Sequence, residues 1–213
     1  MKIEKNENYI RISSFSSIED LLSVKADISE NLKASDVSAV SFVFPEDFSC
    51  EKAGEDFSEF ILGLQALTVA QISDPEKCGL EMLLLFDRVV SDRKYIIKRE
   101  MISSGISSRT SELYRLRMGK KDAWDLKCFA EDENSSELET RITVCAECEE
   151  GQEPSDAYLT GIFNEKSSYQ NRVLASCFVN GRINGIQAVL DEESIGFFNL
   201  VQKKSEEMNI GNE

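Results

Sequence analysis

The chain has 213 residues, 41% of them hydrophobic and only three of them proline, which suits one domain with a sizeable core and excludes a disordered or fibrous sequence. Its 24 Lys and Arg against 39 Asp and Glu leave a formal charge of −15, which repels nucleic-acid phosphates and anionic lipid surfaces, so neither is an expected partner. No apolar run approaches the ~20 residues of a membrane span, and Met1-Lys2-Ile3-Glu4-Lys5-Asn6-Glu7 lacks the apolar stretch of a signal peptide. A cytoplasmic protein is expected.

In chain order, Ser16-Ser17-Ile18-Glu19 has the form of a capping box, and Ile18, Leu21, Leu22, Ile28 and Leu32 follow on one helical stripe, which predicts a helix over 17–34. Val37 to Phe44 is β-branched and aromatic and closes at Pro45, the pattern of a buried strand. Residues 45–54 read as a loop, Glu55 to Leu64 as a helix, and Ala66 to Ile72 as a second buried strand ahead of Ser73-Asp74-Pro75. Gly79 to Phe86 predicts a buried helix, Arg88–Ser91 and Tyr95–Lys98 predict strands, and Arg109–Arg117 and Lys121–Leu126 predict helices split by Gly119. Such alternation argues for a layered α/β domain with mostly parallel pairing.

Glu131 to Pro154 is rich in Glu, Ser and Asp and predicts exposed loops around one strand at Thr140–Cys145. The acidic tract Glu147–Glu153 reads as solvated surface. From Ser167 to Ser205 two amphipathic patterns predict a helical C-terminal portion. The resulting division is a core over 1–160 and a helical portion over 161–213, used for packing or oligomerisation. Trp124, Phe42, Phe44, Phe197 and Phe198 are expected to pack in the core or at a subunit interface.

Histidine is absent, which removes the side chain most used for proton transfer near neutral pH and leaves acid–base chemistry to carboxylate, Tyr, Lys or water. The six cysteines (Cys50, Cys78, Cys128, Cys145, Cys148 and Cys177) read as free thiols. Cys145-Ala146-Glu147-Cys148 has the spacing of half a zinc site or a redox pair, but no second such pair accompanies it, so no metal is expected.

Three short segments carry a resemblance: Lys52-Ala53-Gly54-Glu55-Asp56-Phe57, then Lys77-Cys78-Gly79-Leu80-Glu81-Met82 running on to Asp87, and Leu113-Tyr114-Arg115-Leu116. Together they resemble the crotonase (enoyl-CoA hydratase/isomerase) superfamily, over roughly residues 17–200. The resemblance implies an α/β spiral of ββα units of the ClpP/crotonase type, with a helical C-terminal portion that builds trimers or dimers of trimers. It implies an oxyanion hole made by the backbone N–H groups of Ala53 and Cys78, with Glu81 as the catalytic carboxylate. Lys52, Lys77, Gly79, Met101 and Gly105 fall around the implied substrate pocket. The substrate would be an acyl thioester carried by coenzyme A or by the phosphopantetheine of an acyl-carrier protein, with no permanently bound cofactor.

The departures from the family pattern shape the expectation. Met101 stands where hydratases carry a second carboxylate, and Lys77-Cys78 replaces two glycines of a triple-Gly turn. Two backbone dipoles aimed at a developing oxyanion are worth a few kcal/mol and do not depend on the side chain. With one carboxylate left, isomerisation, decarboxylation or dehydration through an enolate, in specialised metabolism, is expected ahead of two-glutamate hydration. The alternative is a catalytically inactive subunit that keeps the fold and binds a partner or a thioester.

Overall fold

The computed structural model describes residues 1–33, 37–99, 108–131, 136–146, 148, 151–163 and the scattered positions 171, 173, 176, 177, 179 and 180. Met101, Gly105, Phe197, Phe198 and most of the predicted C-terminal helical portion lie outside them.

Ahead of the predicted first helix the structure has two strands, β1 (Lys2–Lys5) and β2 (Tyr9–Ser13), paired antiparallel. The helix expected over 17–34 is two, α1 (Ile18–Ser23) and α2 (Lys25–Lys33), which meet at Val24. The capping box sits one residue later than the sequence pattern places it. The Ser17 hydroxyl accepts from the Asp20 N–H at 3.3 Å, and the Asp20 carboxylate accepts from Ser17 N–H at 3.2 Å and Ser16 N–H at 2.8 Å. Asp20 therefore fills the role that Glu19 was expected to fill.

Then follow β3 (Ala39–Val43), α3 (Glu55–Gly63), β4 (Leu67–Gln71), a 3-10 turn (Pro75–Lys77), α4 (Leu80–Leu84), β5 (Arg88–Val90) and β6 (Ile96–Lys98). After these come α5 (Ser108–Met118), α6 (Lys120–Glu131), β7 (Glu137–Glu139), β8 (Thr143–Val144) and α7 (Pro154–Phe163). Where one strand was expected between 131 and 154 there are two short ones. A helix, α7, follows the acidic tract, and the boundary drawn at 160/161 falls inside it.

Six strands form one sheet in the order β1-β2-β3-β4-β5-β8; β1 is antiparallel to β2 and every other pair is parallel. β6 and β7 pair antiparallel in a separate two-stranded sheet. The structure is thus an α/β domain with a mostly parallel central sheet. No helix among the described residues is long and apolar enough to cross a membrane.

Alternation along the strands divides the sheet into two apolar faces. Ile10, Ile12, Val40, Phe42, Ala70 and Val89 face the layer of α1 to α6. Tyr9, Ala39, Leu67, Val69 and Val90 face the other way and are covered by Leu159 and Phe163 of α7. Burial on both faces is why these strands read as continuous apolar runs. Phe42 and Phe44 are buried, as expected, in an aromatic cluster around Phe86, whose ring lies 5.7 Å from Phe42, 5.8 Å from Phe44 and 6.3 Å from Phe57. Trp124 is 63% exposed, so it does not belong to the core.

The far end of α4 is closed by charge. The Asp87 carboxylate, fully buried, accepts from Thr68 N–H at 2.8 Å, from the Thr68 hydroxyl at 3.0 Å and from the Arg117 guanidinium. The same guanidinium donates to the carbonyls of Leu84 at 3.1 Å and Leu85 at 3.0 Å, which the end of a helix leaves unsatisfied. One arginine of α5 thereby ties together α4, β4 and the start of β5.

Candidate functional site

The two turns named by the sequence are neighbours in space. The loop after β3 and the turn before α4 meet at a parallel bridge between Cys50 and Cys78. Cys50 N–H donates to Lys77 O at 3.2 Å, and Gly79 N–H donates to Cys50 O at 2.9 Å. Contact is so close that a Cβ on Gly79 would lie 1.8 Å from the Glu51 carbonyl oxygen. Gly79 has an ordinary extended backbone, φ −66° and ψ 152°, so glycine is required here by crowding and not by conformation.

The donors are not equivalent. Ala53 N–H, half-buried in the loop, has no protein acceptor among the described residues. Cys78 N–H, expected as the second oxyanion donor, is taken: it donates to Pro75 O at 3.1 Å, the closing bond of the 3-10 turn. Proline at the first position of that turn sets its φ and favours this closure. The Asp74-Pro75 pair was the signal in the sequence that this amide had a competing acceptor.

The lysines differ as well. Lys77 pairs with Asp74 at 3.6 Å, whereas Lys52, exposed, makes no ion pair among the described residues. Glu81 is half-buried in the first turn of α4. Behind the turn, the buried Tyr95 hydroxyl reaches the Cys78 carbonyl at 3.4 Å, and burial pushes its pKa upward. The Cys78 thiol is likewise pushed up, to about 11, chiefly by burial.

An open groove of about 710 Å³ runs from the start of α1 past the loop after β3 to the start of α3. Ser16, Ser17, Phe48, Cys50, Lys52 and Gly54 line it, so it passes the loop that carries Ala53. Its charged lining is Glu19, Asp47, Glu55 and Asp56 against Lys52 alone. Lys77, Cys78, Gly79 and Glu81 are not part of its wall. The structure therefore brings the two turns together but opens only the first of them onto the groove. Ser16 and Ser17, read as a helix cap, and Asp47, read as loop, line the groove although nothing in their local pattern distinguishes a groove wall from a cap or a solvated loop. A second cavity, of about 300 Å³, lies at the other end of α4 between Asp87, Arg88, Arg117, Asp122 and Arg141.

No known family pattern and no curated protein matches this sequence. Among solved structures the chain is similar to ThnE from S. clavuligerus, with a TM-score of 0.52 and 11% identity, over 92% of this chain and 100% of that one. At that identity the likeness concerns the fold alone, and it extends over nearly the whole of this α/β domain.

Proposed function

We propose that this chain is a crotonase-like subunit that keeps the two clamped turns of that superfamily as architecture and has lost the thioester chemistry made between them. The observation that carries this reading is the Cys78 N–H, already bonded to Pro75 O at 3.1 Å. An oxyanion hole depends on preorganised donors that need no reorganisation at the moment of reaction. A donor that must first break a protein hydrogen bond loses that advantage. Two further facts point the same way: the groove carries four carboxylates and one lysine, which repel a phosphate-bearing carrier, and Glu81 does not line it.

The test is a titration with acetyl-CoA and acetoacetyl-CoA followed by thermal melting. A ligand at a hundredfold excess over Kd would stabilise the fold by about 2.7 kcal/mol. The subunit reading expects no rise in melting temperature with either thioester. As a subunit it is expected to assemble into trimers or dimers of trimers, which light scattering on a sizing column measures; a monomer counts against it.

The second reading is an enzyme that holds a thioester enolate, with Ala53 N–H as one donor, Cys78 N–H released from Pro75 as the other, and Glu81 as proton carrier. The open Ala53 amide and the unpaired Lys52 favour it. It expects exchange of the acetyl hydrogens of acetyl-CoA with deuterated solvent, abolished in Glu81→Gln.

A further inference from the structure

The bridge that clamps the two turns also sets two thiols side by side. Cys50 and Cys78 are its paired residues, and side chains of paired residues project to the same side of a ladder. Strands so paired run about 4.8 Å apart, inside the Cα separation of roughly 4.4–6.8 Å that a disulfide spans. The two main-chain bonds described above fix this register. Both cysteines are free thiols. Cys50 is half-buried on the wall of the groove, where a small reagent can reach it, and Cys78 is buried behind it with 1% of its surface exposed. No other cysteine pair among the described residues is joined by a strand bridge.

We propose that Cys50 and Cys78 form a modifiable dithiol, which low-molecular-weight disulfides such as oxidised glutathione convert to an internal disulfide that cross-links the loop after β3 to the turn before α4. In the first step the Cys50 thiolate attacks one sulfur of oxidised glutathione, forming a mixed disulfide and releasing one glutathione thiolate. In the second, the Cys78 thiolate attacks the Cys50 sulfur and displaces the other glutathione. Two protein thiols are oxidised, one glutathione disulfide is reduced to two thiols, and the two protein protons pass to the released thiolates. The groove supplies access to the first sulfur, and the bridge supplies the second within reach of it.

Burial raises the pKa of both thiols, that of Cys78 to about 11, so the reactive thiolates are scarce near neutrality. Each thiolate fraction rises about tenfold per pH unit below its pKa, so formation of the cross-link accelerates with pH through the mildly alkaline range. The inference does not depend on whether the groove takes a thioester.

The experiment incubates the reduced full chain with oxidised glutathione at several mildly alkaline pH values, quenches in acid, and maps the unreduced proteolytic peptides by mass spectrometry. The expected product is a linked peptide pair joining Cys50 to Cys78, lighter by two hydrogens than the separate peptides and separated by dithiothreitol. In Cys78→Ser, Cys50 should retain a glutathione adduct; in Cys50→Ser, Cys78 should remain a thiol. The exposed Cys128, Cys145, Cys148 and Cys177 serve as internal controls for reagent access. The proposal is overturned if the native chain stops at a glutathione adduct on Cys50, if Cys50 does not react, or if its partner is one of the exposed cysteines.

Discussion

The two ends of the short helix α4 are secured by opposite means. At its start, the turns around Cys50 and Gly79 are joined by main-chain hydrogen bonds across a contact that leaves no room for a Cβ. At its end, Asp87 and Arg117 are joined by charge, with Thr68 and two helix carbonyls completing the set. The comparison teaches where substitution is tolerated. The first end is indifferent to most side chains and intolerant of one added methyl, whereas the second depends on two particular side chains.

The largest effect is therefore expected at the charged end. Arg117→Ala leaves the Asp87 carboxylate buried without its cation, a change that costs about 3–5 kcal/mol, read as a lower urea midpoint. Adding Asp87→Ala to it should cost much less than the sum of the two single changes, because the groups act on each other; additivity would show that they do not. At the main-chain end, Gly79→Ala forces apart two backbones and should cost about 1–3 kcal/mol or more. A fully stable Gly79→Ala would mean that the turns are not clamped as described.

Alkaline pH probes the first end, together with two buried tyrosines elsewhere in the fold, in a milder way. Burial raises Cys78 from 9.0 to about 11 and Tyr114 from 10.0 to about 12, and burial with a smaller contribution from Asp156 raises Tyr9 from 10.0 to about 12. The neutral forms are favoured in the folded state, so their contribution is complete below pH 9 and is lost as pH rises from 9 towards 12. Melting temperature should fall across that window, and Cys78→Ala should flatten its lower part. The smallest effect is expected for Lys77→Ala, since its pair with Asp74 is half-exposed and such pairs contribute no more than about 0.5 kcal/mol.

What the sequence disclosed follows from these forces. Val37–Phe44 and Ala66–Ile72 were legible as strands because both faces of the sheet are covered, which writes burial as an unbroken apolar run. β2 was harder to see because Arg11 interrupts its apolar residues. Its guanidinium bonds Asp156 at 3.1 Å and Glu153 at 3.1 Å, partners more than 140 residues away along the chain. Glu153, the last residue of the tract read as solvated surface, is instead part of the docking of α7 together with Asp156, and Gln71 also bonds Glu153 at 2.7 Å and Ser155 N–H at 3.0 Å. At the candidate site the segments were legible and the hydrogen bonds between them were not. The Cys78 bond to Pro75 is local, and Asp74-Pro75 announces it; that Gly79 abuts Glu51 is a fact of register between distant turns, and no local pattern records it.

The covering of the second apolar face has a consequence for biogenesis. Strands β2 to β5 leave the ribosome well before α7, so Tyr9, Leu67, Val69 and Val90 wait for Leu159 and Phe163 to be synthesised. A nascent chain that pauses before residue 154 presents a greasy, half-finished sheet to its neighbours. A chaperone that shields apolar surface has most to do in that interval, and its task at this face ends when α7 arrives.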